Sequence, residues 1–363
     1  MAKISLTGIK PTGTPHLGNY LGSIQPALEL AKDYLSVYFI ADWHALTTVR
    51  ENGWTDGKEQ RALIHKLAAT WLACGLDPEK TVFFQQSRVP ELAELNWYLA
   101  CFTPKGVLNR AHAYKAIVQE NYAKQAAFAP SDPEELIVDT LGSLTGNPLP
   151  PVRFYDDGIN AGLYTYPVLM AADILLFGSD VVPVGQDQKQ HVEIARDLAE
   201  AVNRQLGSIF NVPEPLIRED VKTIPGLDGR KMSKSYDNVI PFLAPPGEMK
   251  KAVMRIVTDS KRPEEPKDPD SCNVFNIFKH FAEPARVAER REHYAAGGVG
   301  YGEMKEELLA VLEARFGAAR AKYDALLKDP AGLDAVLEQG AERARQLAGK
   351  RMDKLRKKLG LRA

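Results

Sequence analysis

"KISLTGIKPTGTPHLGNYLGS", residues 3–23, passes from a short β-prone segment (3–7) through a Gly-, Pro- and Thr-rich loop into a helical stretch over 18–33. Pro26 is expected to kink that helix. The same order then recurs along the chain. "SVYFIAD" (36–42) precedes a helical stretch over 58–74, and "TVFFQQS" (81–87) precedes one that begins near "VPELAELNWYLACF". A helix over 162–177 leads into the strand-like "DVVPVG" (180–185), and a helix over 187–206 follows. Short apolar strands separated by helices predict a parallel sheet covered on both faces. Right-handed crossovers make this an α/β, Rossmann-type doubly wound parallel sheet.

Two stretches break the alternation. The region from about 116 to 160 holds "FAPSDPEE" and "GNPLPPVRFYDDG", dense in Pro, Gly and Asp, and reads as an insertion. "DSKRPEEPKDPDS" (259–271) reads as an exposed connection. From about 246 onward the signals are helical. In the last stretch Leu333, Leu337, Ala344, Leu347, Leu355 and Leu359 follow one helical face. The expected plan is a sheet domain over 1–240 with its insertion and a helical domain over 241–363, without internal repeats.

Composition bounds the function. With 363 residues, 45% hydrophobic, 26% charged and a net charge of −1, the chain is globular and not a polycationic nucleic-acid binder. Its 3 cysteines are scattered singly in apolar surroundings, and its 7 histidines lack metal spacing, so neither a disulfide framework nor a metal site is expected. The N-terminus does not read as a signal peptide, and no apolar run reaches membrane-spanning length. A soluble, cytoplasmic protein without membrane partners is the expectation.

The loop over 7–23 lies where an α/β fold places a phosphate site. Gly18 and Gly22 allow close backbone approach, and His16 and Asn19 add side-chain donors at a helix N-terminus. It matches neither G-x-G-x-x-G nor G-x-x-x-x-G-K-[ST], and a tight glycine turn is the plainer alternative. Asp173 sits in the apolar run "YPVLMAADILLFG" (166–178), where a carboxylate is costly unless it meets a donor or faces a cavity. Beside Tyr166 and Met170 it suits a flat apolar ligand carrying one N–H or O–H. "GQDQ" (185–188) closes a strand at the carboxyl edge of the sheet, so Asp187 and Gln188 either cap the next helix or hold polar groups of a substrate. "GRKMSKSYDN" (229–238) sets Lys231 and Lys234 three apart, after glycines that permit a mobile loop. Alone it looks like a surface turn. Opposite the first loop, its two ammonium groups suit a departing pyrophosphate.

"PHLGN" (15–19), "KMSKS" (231–235), "TYPVLMAADIL", "VPVGQDQKQH" and "ARDLA" together resemble the class I aminoacyl-tRNA synthetases, tryptophanyl and tyrosyl branch, over nearly the whole chain. "MAADIL" points to tryptophan. The first motif corresponds to the family's HIGH signature, with Leu17 in its second place and Asn19 in its last, and Lys10 stands where Gln is frequent. The resemblance implies that Lys10, Pro11, Thr12, Gly18 and Asn19 bind ATP, with His16 at the first HIGH position. Gly185, Gln186 and Asp187 would meet ribose and adenylate, and Val221 would flank adenine. Lys231, Met232, Ser233, Lys234 and Ser235 form the second signature, whose lysines contact phosphates. His16, Asn19, Lys231 and Lys234 are the implied catalytic set, and Lys115 is a candidate third phosphate lysine. Asp173 would accept from an indole N–H, with Tyr166, Met170 and Gln188 completing the amino-acid pocket.

The implied reaction joins L-tryptophan to ATP, assisted by Mg²⁺ on the phosphates, then transfers the product to tRNA(Trp). A homodimer is implied by the resemblance alone. A tyrosyl enzyme, a silent RNA-binding paralogue and a small-molecule nucleotidyltransferase are the alternatives. The closing segment carries Arg343, Arg345, Lys350, Arg351, Lys354, Arg356, Lys357, Lys358 and Arg362. This excess is expected to form an RNA phosphate face, so that a chain cut after Gly340 keeps amino-acid activation largely intact if it still folds and charges tRNA more weakly.

Overall fold

The structure is a computed structural model that describes residues 3–48, 57–127, 158–217 and 224–362. Strands β1 (Ile4–Ile9), β2 (Leu35–Ile40), β3 (Val82–Gln85), β4 (Val181–Val184) and β5 (Glu214–Ile217) form a parallel 5-stranded sheet in the order β3-β2-β1-β4-β5. The chain builds outward from β1 to β3, then returns to the other side of β1. The order therefore reverses between β1 and β4. β1 registers with β2 along its length but with β4 at Ser5↔Val181, and the carboxyl ends of the two strands open into a crevice beyond that pair. In doubly wound sheets this switch point is where ligands bind.

The expected strands are present, and β5 is an addition. Its segment "EPLI" follows Pro213 and contains Pro215, which disguises it as a loop. Proline is tolerated here because β5 pairs with β4 on one side and needs no outward ladder bond. The helix expected over 18–33 is interrupted more than a kink would require. Leu17–Asn19 is α-helical, Tyr20–Ile24 is a π-helical turn, and Gln25–Leu30 is α-helical again. The wide turn ends at Ile24, two residues before Pro26, whose ring would crowd the carbonyl of Gly22 in a regular helix.

Alternation along the central strands sorts the core into two layers. Tyr38, Ile40 and Phe83 join Trp71 of the helix Gly57–Ala73 on one face. Val37, Phe39, Val82 and Phe84 join Ile174 and Phe177 on the other. Burial on both faces is what near-continuous apolar strands imply. No described helix is long and apolar enough to cross a membrane. The 259–271 connection is mostly exposed but has an anchor. Lys267 is buried, and its ammonium donates to the carbonyls of Arg262, Pro263 and Glu265.

The last helix, Pro330–Lys358, overturns the expectation of a free basic face. Leu333 and Leu337 enter the first core layer, whereas Ala341, Ala344, Ala348, Met352 and Leu355 enter the second. The helix thus lies across β3 and covers that sheet edge. Its arginines are used within the chain. Arg343 donates to the carbonyls of Pro78 and Thr81, Arg345 to that of Arg88, and Arg351 to that of Leu176. Lys354 donates to the Ser208 carbonyl, and Arg356 pairs with Glu94 and Asp353. Lys350, Lys357 and Lys358 stay exposed. The basic excess reflects docking of the helix more than an outward RNA face.

Gly340 marks the closest approach: a Cβ there would stand 1.7 Å from the Phe83 carbonyl oxygen. Within a helix, Gly→Ala ordinarily stabilises by about 1 kcal/mol. Here overpacking against backbone costs about 1–3 kcal/mol or more, so the sign reverses. Gly340→Ala is expected to lower the thermal midpoint, and a higher midpoint would place this helix away from β3. Cutting after Gly340 removes the buried Met352 and Leu355, at about 1.5–3 kcal/mol each. The truncated chain is therefore expected to lose cooperative unfolding in calorimetry. A truncated chain with the full-length transition contradicts the docking.

Candidate active site

A cavity of about 1200 Å³ occupies the crevice between the carboxyl ends of β1 and β4. Lys10 from the end of β1, and His16, Gly18 and Asn19 from the first helix, line one wall. Gly185, Gln186 and Gln188, just past β4, line another, and Tyr166, Met170 and Asp173 project from the helix Ala161–Leu176. Lys231 and Met232 close the cavity from the second signature. Residues 150 and more apart in sequence thus meet at one place. Pro11 is buried and Thr12 exposed outside this lining, and Lys115 lies exposed on the helix His112–Ala127. Val221 lies outside the described residues, as do the side chains of Asp187 and Ser235.

Asp173 is 1% exposed. His44 Nε2–H donates to its Oδ2 at 2.7 Å, and Gln86 Nε2–H to its Oδ1 at 2.8 Å. Burial raises the carboxyl's pKa above its ordinary value, and the bonds from His44 and Gln86 work against that rise. The orientation of Gln86 follows from its other end, where Oε1 accepts the Trp43 backbone N–H at 3.1 Å. Its amide nitrogen is thereby turned to Asp173. Each carboxylate oxygen keeps a second lone pair for a ligand in the cavity. Tyr166 is fixed by a comparable chain. Gln188 Oε1 accepts from His191 Nδ1–H at 3.1 Å, which leaves His191 Nε2 to accept from the Tyr166 hydroxyl.

The sequence alone does not single out His44 and Gln86. His44 lies in "ADWHAL", which directly follows β2, and Gln86 is the first residue after β3, at the end of a run that reads only as an apolar strand. Polar residues just past parallel strands were the available signal.

The opposite pole is cationic. The Lys10 ammonium lies 5.9 Å from the Tyr166 ring centroid, and burial lowers its pKa. Lys234 lies outside the cavity lining, and its ammonium donates to the Thr12 carbonyl and so joins the second signature to the first loop. Asn238 shapes that signature from within. Its side chain accepts from Ser233 N–H at 2.8 Å and donates to Asp228 at 2.6 Å and to the Lys231 carbonyl at 3.1 Å. Gly226 is required beside it, because a Cβ would stand 2.3 Å from the Asn238 side chain. The Asn19 side chain accepts the His16 backbone N–H at 3.2 Å, which opens the first helix.

The model of the tRNA synthetases class I (W and Y) matches residues 3–317 of the chain. The chain belongs to this family. Among relatives of the synthetase, the tryptophan–tRNA ligase of Pseudomonas aeruginosa is 46% identical over 99% of the chain and 74% of its own length. That of Neisseria meningitidis is 43% identical over 98% and 97%. The structure of tryptophanyl-tRNA synthetase from Campylobacter jejuni, complexed with ADP and tryptophan, is 40% identical, with a TM-score of 0.81 over 98% of this chain and 99% of that one.

His16 is 6% exposed. Burial first, and then the Lys234 charge, push its pKa down to about 4 from an ordinary 6.5. Between those values the unfolded chain binds a proton that the folded synthetase does not. This imidazole therefore makes the fold less stable as pH falls through that window. In an NMR titration the His16 ring is expected to change state near pH 4, and His16→Gln should remove its share of the acid sensitivity. A midpoint at 6.5 would mean that the ring is solvated.

Proposed function

We propose that this synthetase activates L-tryptophan with ATP and transfers it to the 3′-terminal adenosine of tRNA(Trp). The observation that carries this is a single cavity with a donor-locked carboxylate at one end and lysines at the other, at the switch point of a Rossmann-type sheet. The names of the relatives above support the choice of amino acid. Asp173 accepts the indole N–H, with Tyr166, Met170 and Gln188 around the amino acid. The adenosine lies on the walls contributed by Gly18, Asn19, Gly185 and Gln186. Val221 and Asp187 are assigned to the same nucleotide, and Ser235 to the second signature.

The tryptophan carboxylate attacks the α-phosphorus. A new P–O bond forms, the bond to the bridging oxygen breaks, and pyrophosphate leaves with the electron pair. No protein nucleophile is required. The protein contributes position and charge stabilisation. Lys10 and Lys231 face the phosphates, and Lys234 exchanges the Thr12 carbonyl for a phosphate oxygen as charge grows there. His16, neutral at working pH, donates a hydrogen bond without adding charge. Mg²⁺ is assigned to the ATP phosphates, where it neutralises charge. Among the described residues no cluster of His, Cys, Asp or Glu side chains is arranged to hold a metal instead. Trp97, 69% exposed on the helix Glu91–Phe102, supports a homodimer contact. A cytoplasmic location follows from a partner that is tRNA.

ATP–pyrophosphate exchange, run with each amino acid in turn, checks the reading. Tryptophan is expected to support exchange and tyrosine not. Lys234→Ala should slow adenylate formation about 10²–10³-fold while tryptophan affinity stays near wild type. Exchange with tyrosine alone would reject the amino-acid assignment, and an unimpaired Lys234→Ala enzyme would reject the role of the second signature.

A further inference from the structure

We propose that Arg88, gripped by Asp334 and Glu338 of the last helix, is a positioning residue for the amino-acid pocket, so that the final helix of the chain sets tryptophan affinity. The inference rests on the assignment of Asp173 to the amino acid made above. Arg88 ends the short turn Gln86–Arg88 that follows β3. Its side chain is 23% exposed, and its guanidinium is bonded on three sides. Nη2 donates to Asp334 Oδ1 at 2.7 Å, and Nη1 to Glu338 Oε2 at 2.9 Å and to the Asp334 carbonyl at 3.1 Å. Nε donates to Gln85 Oε1 at 3.1 Å. The carbonyl of Arg88 accepts from Arg345 at 2.7 Å, and Arg345 also pairs with Glu338 at 2.9 Å.

The bond from Nε carries the effect inward. With Oε1 occupied, the Gln85 amide must present its nitrogen to Asp42 Oδ2, at 2.8 Å, and to Ser87 Oγ, at 2.9 Å. The other oxygen of Asp42 accepts the Ser87 N–H at 3.0 Å. Asp42 is thereby tied on both oxygens to the turn after β3. Asp42 opens the short helix that carries His44, and the tied turn carries Gln86. Both donors to Asp173 therefore project from segments that the Gln85 amide, oriented by this one arginine, helps to tie together. The partners of that arginine lie about 250 residues away in sequence, at 334 and 338. Lysine cannot replace it, because the three directions need the planar fork.

A merely structural salt bridge would change stability alone, and a second attachment of the same helix supplies the control. Arg343 donates to the carbonyls of Pro78 and Thr81 at 2.7 and 3.2 Å, at the opposite end of β3 from the pocket. The experiment measures thermal midpoint, and KM for tryptophan and for ATP, in the full-length wild type, Arg88→Gln, Arg88→Lys and Arg343→Gln. Both Arg88 variants are expected to raise KM for tryptophan about tenfold, the size of effect a small misplacement of a binding group produces. KM for ATP should stay within about twofold. Arg343→Gln is expected to lower the midpoint comparably and leave KM for tryptophan unchanged. If Arg88→Gln does not fold, Glu338→Gln, which removes one of its bonds, gives the same comparison. The proposal is overturned if KM for tryptophan is unmoved in the Arg88 and Glu338 variants, or moves equally in Arg343→Gln. Absence of tryptophan-dependent exchange in the wild type would instead defeat the assignment of function.

Discussion

A carboxylate with almost no solvent contact has to be held by the protein, and Asp173 is held by two donors from two different strand ends. His44 comes from the segment after β2 and Gln86 from the turn after β3. An unpaired charge in that position would be driven to neutralise or would destabilise the fold. The pair of bonds therefore makes the carboxylate affordable and fixes its direction together. The sheet order serves this arrangement, because β2 and β3 are paired neighbours and the segments that leave their carboxyl ends start side by side.

The same logic extends to the helical part of the chain. A sheet edge at β3 needs cover, and the last helix supplies it, with Gly340 admitting the close approach to Phe83. That docking brings Asp334 and Glu338 beside Arg88, and Arg351 to the end of the helix that carries Asp173. At the other end of the cavity Tyr20, directly after Asn19, packs against Phe242, Phe281 and Phe316 and accepts a hydrogen bond from Arg315. Phe316 and Arg315 belong to the helix Tyr301–Leu327. Helices late in the sequence thus brace both poles of a site whose side chains come from its first two thirds.

The parts of this arrangement that could be read in the sequence are those with a local signal. Four strands stood out as apolar runs between glycines and helices, and Asp173 as a charge inside an apolar helix. Both lysine-bearing loops were visible through their glycines. β5 was hidden by Pro213 and Pro215, which argue locally against a strand that its edge position permits. His44 and Gln86 gave only the faint signal of polar residues just past parallel strands, because their roles depend on contacts 129 and 87 residues away, and Asn238 acts through contacts 5, 7 and 10 residues away within its own loop. The last helix shows a third kind of failure. Its apolar face was legible, but its basic residues read as a surface for RNA because sequence does not reveal which backbone carbonyls will lie opposite.

The central claim is that Asp173 is a preformed acceptor for an N–H carried by a flat amino-acid side chain. The direct measurement compares binding of tryptophan and of 3-benzothienylalanine, in which sulfur replaces the indole N–H, by titration calorimetry on the full-length protein. A hydrogen bond to a charged group contributes about 1.5–3 kcal/mol, and His44 and Gln86 still satisfy the carboxylate when the ligand does not. The account predicts that tryptophan binds about 10- to 100-fold more tightly than its sulfur analogue. Equal affinity for the two would contradict it.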